Sequence, residues 1–539
     1  MGIAGRIILF LLLFVSVGVN ASGSDSYKRR AISDVKREID STFSSKRNVD
    51  IKRRGYKDFK KEIDSVFSVK KETDEQIFRQ YRNKINAEYA ESLMEEWSTK
   101  ESEPEVPMPQ EEPVFPVQPV ALEDTNSYSE VTEPLPYKLV ITPPEPMQQP
   151  QPVVPIFEIP DLDTEWFDFE FYGTKCQVRL DERHSFTLPS LEPRALSEQW
   201  KKCSEELYDN LIVDCLKLRD KMNLCDFAYL QMLDVLCDEF LGEDTNESVF
   251  LRAFIYCQSG YKMRFGLSAD NKQLLMAFSS HHLIYTQNLI GSVKMTKTQS
   301  TLPPYVYLYD CEVSSYYESP AIFENEQPLS LIINSAPLFA ESDTEERKIE
   351  SRRYINMSFT ASENKNLMDF YATYPPSTHS NNMMTQWSIY ANAPVSETLK
   401  KNLYEPMKKS LEGLSPYDAV SYLLNWAQTG FEYKLDSEVW GGERIFFMEE
   451  TLYYPYSDCE DRSILLARVV RDLLGLDVIL LKYPSHLSTA IAVPGEVSGA
   501  YYEHKGKNYF VCDPTCLNAS VGYLHPDYRG CIPHLIEVD

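Results

Sequence analysis

The chain has 539 residues, 43% of them hydrophobic and 25% charged, enough apolar material for several domain cores. A formal net charge of −27 excludes wholesale binding of nucleic acid, because an acidic surface is repelled by the phosphates. The charge is uneven: residues 28–100 carry 19 Lys and Arg against 14 Asp and Glu, while residues 101–170 carry one Lys against 16 acids. Such asymmetry marks separate segments with separate roles.

Arg6, the apolar run Ile7 to Val19 and the small-residue site Val19-Asn20-Ala21 together predict an export signal over residues 1–21. The run is too short to span a bilayer comfortably, and no later stretch is long and apolar enough. The mature protein is therefore expected to be soluble and exported, periplasmic or extracellular, with no stable membrane span. Asp34 to Arg47 then recurs 24 residues on as Asp58 to Lys71, and Ile77, Tyr81, Ile85, Tyr89 and Leu93 follow at four-residue steps. Units this short bury little, so residues 28–100 read as a helical repeat arm, either for a protein partner or as a solvated spacer. Residues 101–165 are acidic and rich in proline, from Pro104 to Pro160, which predicts an extended, disordered linker.

From Trp166 the composition turns globular. Residues 166–300 read as a helix-rich domain, with Trp200, Leu207, Leu211, Cys215 and Leu218 at helical spacing and further helices over Phe227–Leu236 and Val249–Tyr256. Residues 301–395 read as a β-rich region, through Tyr305–Tyr309, Leu329–Ile333, Tyr354–Phe359 and Gln386–Tyr390. Helices resume over Glu397–Leu411 and Pro416–Thr429 in a last domain, residues 396–539. The fold class expected is α+β.

Eleven cysteines are scattered from Cys176 to Cys531, an odd number that leaves at least one thiol unpaired in an oxidising compartment. No pair has the spacing of a zinc site, and no metal or cofactor is expected. Cys459 stands out. It lies in Asp458-Cys459-Glu460-Asp461-Arg462-Ser463, just before an apolar helix that ends at Gly475, so it sits where unpaired N–H groups and the helix dipole favour a thiolate. The acidic neighbours oppose that effect, and a histidine partner is then needed. His486 opens a strand after Pro484, and a further strand over Asn508–Cys512 delivers Asp513. Cysteine, histidine and aspartate are the parts of a thiol nucleophile, its base and the group that orients the base.

These motifs, with Phe431-Glu-Tyr433 and Glu450-Thr-Leu452 upstream and Tyr509-Phe-Val-Cys-Asp513-Pro-Thr515 downstream, resemble the transglutaminase-like superfamily, in its exported bacterial form. The resemblance runs from Pro416 to Thr515, with the tail closing the domain. It implies a papain-like helix packed on an antiparallel sheet, with Cys459 as nucleophile, His486 as general base and acid, and Asp513 as orienter. It implies a protein or peptide substrate, amide hydrolysis ahead of cross-linking, and no cofactor. No clear glutamine stands ahead of Cys459 for an oxyanion hole; the Cys459 N–H with Trp440 or another group is the expectation there. The rival reading is a non-catalytic binding or scaffold protein that keeps the fold.

One internal match adds to this. Ser248–Gly260 has the length and pattern of Ser463–Gly475, and both precede strand-like runs. In that register Asp244 stands where Cys459 stands and no histidine fills the base position, as in a degenerate copy of the same domain. An unrelated helix–strand–strand unit is the alternative.

Overall fold

The computed structural model describes residues 79–109, 133–153, 156–286, 294–300, 304–323, 325–380 and 382–539. The export signal, the duplicated unit and much of the proline-rich linker lie outside the described residues. The chain divides into two units between Ile77 and Phe78, and the second carries everything that follows.

That unit is α+β and holds two six-stranded sheets. The first runs Ser98–Glu101, Ser315–Glu318, Met263–Ser268, Leu274–Ser280, Tyr305–Tyr309, Met295–Lys297, with every neighbouring pair antiparallel. The second runs Tyr501–His504, Lys507–Cys512, His486–Ile491, Val478–Tyr483, His534–Glu537, Val140–Ile141, antiparallel except for its last pair. Val478–Tyr483 and His486–Ile491 are buried throughout because helices cover one face and a second apolar cluster the other. A tight turn joins them, with Ser485 in the left-handed region at φ 55.

Helices pack on the sheets through apolar stripes. The Cys459–Leu474 helix buries Ile464, Leu465, Leu466, Ala467, Val469 and Val470 against the sheet and the Pro416–Thr429 helix. Burying each large side chain contributes roughly 1.5–3 kcal/mol relative to exposure. Gly475, at φ 64, ends the helix in the left-handed conformation that spares a Cβ penalty.

Several segments differ from their sequence expectation. Gln386–Tyr390 is not a strand but the middle of a helix, Thr385–Asn392. Its aromatic and β-branched residues look strand-like, but Thr385 to Ala391 are all buried, and a helix apolar all round fits between neighbours as well as a strand does. Leu329–Ile333 makes only an isolated bridge from Leu329 to Ser280, and the pairing expected over Tyr354–Phe359 starts at Ser358. The end of the expected arm is docked rather than solvated. Residues 79–92 are helical, and Tyr89 stacks on Trp200 at 4.2 Å and on Phe323 at 4.5 Å, whereas Tyr81 is half exposed. The buried face is rotated from the apolar stripe because polar residues on it find partners: Arg82 pairs with Asp209, and Asn86 accepts from Trp200 Nε1 at 3.1 Å. Ser98–Glu101 and Val140–Ile141, from the expected arm and linker, each add an edge strand to a sheet. Among the described residues no helix is long and apolar enough to cross a membrane.

Candidate active site

Cys459 is the first residue of its helix, and the local sequence builds that start. Asp458 is the N-cap; its Oδ1 accepts from the Glu460 N–H at 3.1 Å and the Asp461 N–H at 3.5 Å. Asp461 reaches back to accept from the Asp458 N–H at 3.2 Å, which completes a capping box, and its other oxygen accepts from the Phe446 N–H at 3.0 Å. The Cys459 N–H is not among the donors this cap takes, and it is the first of the helix. The thiol is half-buried beside the Leu487 N–H, and Ser463 Oγ donates to the Leu487 carbonyl at 3.0 Å. The Cys459 helix is thereby clamped to the strand that His486 opens.

His486 and Asp513 meet directly, Nε2 to Oδ2 at 2.9 Å, both buried. The register explains it: Thr489 lies opposite Cys512, so the start of one strand and the residue after the other fall at the same sheet end. Asp513 Oδ1 also accepts from the Thr515 N–H at 2.8 Å. Burial alone would raise the Asp513 carboxyl, but the charge and hydrogen bond of His486 and the bonds from Thr515 hold it below its ordinary value. Tyr528 lies flat against the imidazole, centroids 4.8 Å apart and planes 9° apart, and fixes the ring plane. With Nε2 turned to Asp513, Nδ1 is the ring nitrogen that this bond does not use.

Two bracing residues carry no role in the sequence reading. Arg462 is buried and donates to Ser457 Oγ at 3.1 Å, the Gln428 carbonyl at 3.1 Å and the Phe431 carbonyl at 3.0 Å. Gln428 Nε2 donates to the Asp513 carbonyl at 2.9 Å and the Ala519 carbonyl at 3.1 Å. One glutamine thus ties the Cys459 helix, through Arg462, to the loop that carries Asp513. An Arg at the fourth position of the helix and a Gln in the buried stretch that also holds Asn425 and Thr429 were the available signals.

The charge around the thiol is unusual. One carboxylate oxygen each of Asp436, Glu443, Asp458 and Glu460 lies within 4.8 Å of the others, and three of the four residues are buried. Burial pushes Asp436, Asp458, Glu460 and Asp461 all upward, Asp458 to about 6, and repulsion from neighbouring carboxylates adds to it at Asp436, Glu460 and Asp461. Burial also pushes the Cys459 thiol up, Asp458 and Glu460 add to it, and the Leu487 N–H and Lys482 act the other way. Glu460, 8% exposed, accepts from Trp387 Nε1 at 3.2 Å on Oε2 while its Oε1 is buried without a hydrogen-bond partner. Carboxylates crowded this closely cannot all stay ionised unless protons or a cation neutralise them. Four hard oxygen donors with opposite ligands up to about 5 Å apart suit Ca²⁺, whose ligands lie at about 2.3–2.6 Å.

Trp440 stands outside this network. Its ring packs against Tyr454 at 5.0 Å and Phe446 at 5.9 Å, with the Arg444 guanidinium at 4.3 Å, and its backbone N–H donates to the Asp436 carbonyl at 2.7 Å. All eleven cysteines are free thiols, and Cys459 is one of the three that are not fully buried. No family model matches this chain, and no curated protein matches it.

Proposed function

We propose that the chain is an exported cysteine enzyme that cleaves amide bonds of proteins or peptides, built on a papain-like, transglutaminase-like domain over residues 396–539. The observation that carries the reading is the 2.9 Å bond of His486 to Asp513, with the Cys459 thiol beside the N–H of Leu487, the residue that follows His486. Cys459 gives its proton to His486 Nδ1 and the thiolate attacks the amide carbonyl. The oxyanion that forms lies at the start of the helix, where the Cys459 N–H and the helix dipole stabilise it. His486, held in tautomer and plane by Asp513 and Tyr528, then protonates the departing amine. Water releases the thioacyl group by the reverse proton path; an amine in its place would give cross-linking.

The carboxylate group beside the thiol belongs to this reading. Burial is the main cause that keeps Cys459 protonated; a divalent cation held by Asp436, Glu443, Asp458 and Glu460 would cancel the carboxylate charge that adds to it. The raised thiol is also the observation that favours the rival, a binding protein without chemistry. One experiment separates them. Iodoacetamide labelling of Cys459 well below pH 8 in calcium, lost in Cys459→Ala and shifted to higher pH in His486→Ala, is the expected result. Labelling of wild type no faster than that of a free cysteine, in calcium or chelator, would favour the rival.

A further inference from the structure

The two six-stranded sheets share one topology. In each, the first strand after the central helix (Met263–Ser268; Val478–Tyr483) lies between the second (Leu274–Ser280; His486–Ile491) and the last (Ser315–Glu318; His534–Glu537). The second strand meets Tyr305–Tyr309 in one sheet and Lys507–Cys512 in the other. These are flanked in turn by the edge strands Met295–Lys297 and Tyr501–His504. A segment from earlier in the chain adds the sixth strand beside the last in both, antiparallel in the first sheet and parallel in the second. The central helices, Asn246–Gln258 and Cys459–Leu474, both lie on the first two strands, each with the preceding helix at its side.

Contacts at the two helix starts align the copies residue by residue. Asn246 begins its helix as Cys459 does, and its Oδ1 accepts from the Leu274 N–H at 2.8 Å, as the Cys459 thiol faces the Leu487 N–H. Taking Leu274 with Leu487 puts Gln273 in the place of His486. Two independent features agree. Gln273 lies opposite Ser268, the last residue of the first strand, through the Ser268 N–H at 3.0 Å, and His486 lies opposite Tyr483, the last residue of its first strand. Across the next pair, Ala277 opposes Leu308 as Ala490 opposes Val511, and continuing both registers sets Asp310 at the same diagonal to Gln273 as Asp513 has to His486. Asp310 and Asp513 each follow directly on their strand.

We propose that the chain is an internal duplication whose first copy retains a vacated catalytic centre, with Asn246, Gln273 and Asp310 in the places of Cys459, His486 and Asp513. The acid is kept, while the nucleophile and base are replaced by amides. The Asn246 carboxamide also donates to the Lys272 carbonyl at 3.3 Å, so it closes the helix onto the strand as a structural pin. Asp244, aligned with Cys459 when the helix-ending glycines are matched, does not hold that position. The first helix has 13 residues against 16, and its N-cap is Thr245, which accepts from the Ser248 N–H at 3.1 Å. Chemistry is then confined to one of two sites, and Gln273 and Asp310 leave the first open to solvent.

Rebuilding the centre tests this. In full-length Cys459→Ser protein, Asn246→Cys with Gln273→His is expected to be alkylated at position 246 by iodoacetamide, near pH 6.5, roughly tenfold faster than Asn246→Cys alone. Adding Asp310→Asn should remove the gain. Equal rates with and without the histidine would overturn the proposal. Alkylation of Cys459 in wild type, measured alongside, reads the proposed function separately. Should the rebuilt variant fail to fold, Gln273→His alone serves in its place. Its imidazole, followed by NMR, is expected to titrate higher than in Gln273→His with Asp310→Asn, and equal titration in folded protein would overturn the alignment.

Discussion

Removing divalent cations should unfold the nucleophile's surroundings from within, by an amount that grows with pH. At the 4.8 Å limit of the four-carboxylate group, two charges repel by about 3.5 kcal/mol at an effective dielectric constant of about 20, so full ionisation without a cation is costly. Protons relieve this. The sign follows from the raised carboxyls: their stabilising contribution is fully present below the ordinary carboxylate range and is lost as pH rises through the raised folded values. For Asp458 that window runs from 3.8 to about 6, and Asp436, Glu460 and Asp461 extend it upward. Chelated protein should therefore melt progressively lower from about pH 5 to about pH 8, whereas calcium-loaded protein should hold its midpoint. At a hundredfold excess over Kd, binding adds about 2.7 kcal/mol, or about 5–10 °C for a cooperative unit of about 150–250 residues. Scanning calorimetry in EDTA and in calcium at both pH values reads this, with Asp436→Asn expected to shrink the calcium response. Midpoints that ignore calcium at both pH values would refute the reasoning.

Other outcomes follow from the same geometry. Gln428→Leu strips donors from the buried Asp513 and Ala519 carbonyls, though it also removes the partnerless Gln428 Oε1, so a net loss of about 2–4 kcal/mol in urea unfolding is expected. Asp513→Asn should leave the fold intact by circular dichroism. It should slow any Cys459-dependent turnover by about 10²–10⁴-fold, because the imidazole loses the carboxylate that fixes its tautomer. Trp440→Phe should leave Cys459-dependent peptide turnover within about threefold of wild type, since the ring packs on Phe446, Tyr454 and Arg444; a larger loss would restore the Trp440 indole as an oxyanion donor.

Much of the last domain was readable because its signals are local. Pro416–Thr429 has a serine cap and a proline at its first turn, and Gly475 ends the cysteine helix where a left-handed residue is needed. The strands carrying His486 and Asp513 are short apolar runs between turn residues. Gln386–Tyr390 was misleading for the opposite reason, since a short run buried on every side carries no period to separate helix from strand. Asp436 and Glu443 join Asp458 and Glu460 only through tertiary folding, so their crowding is invisible in sequence and the local acids read merely as an opposing charge. The shared topology of the two sheets was hidden likewise: strand order is a property of pairing, and the glycine-anchored register slipped by two residues because the first helix is shorter.

The central claim is that Cys459 attacks amides with His486 and Asp513 behind it. Digestion of a peptide library by full-length protein in calcium, followed by mass spectrometry beside Cys459→Ala, tests it most directly. The account predicts cleavage products with wild type that vanish with Cys459→Ala and with His486→Ala. Products of equal yield from wild type and Cys459→Ala, or no acyl transfer from any peptide by calcium-loaded wild type, would contradict it.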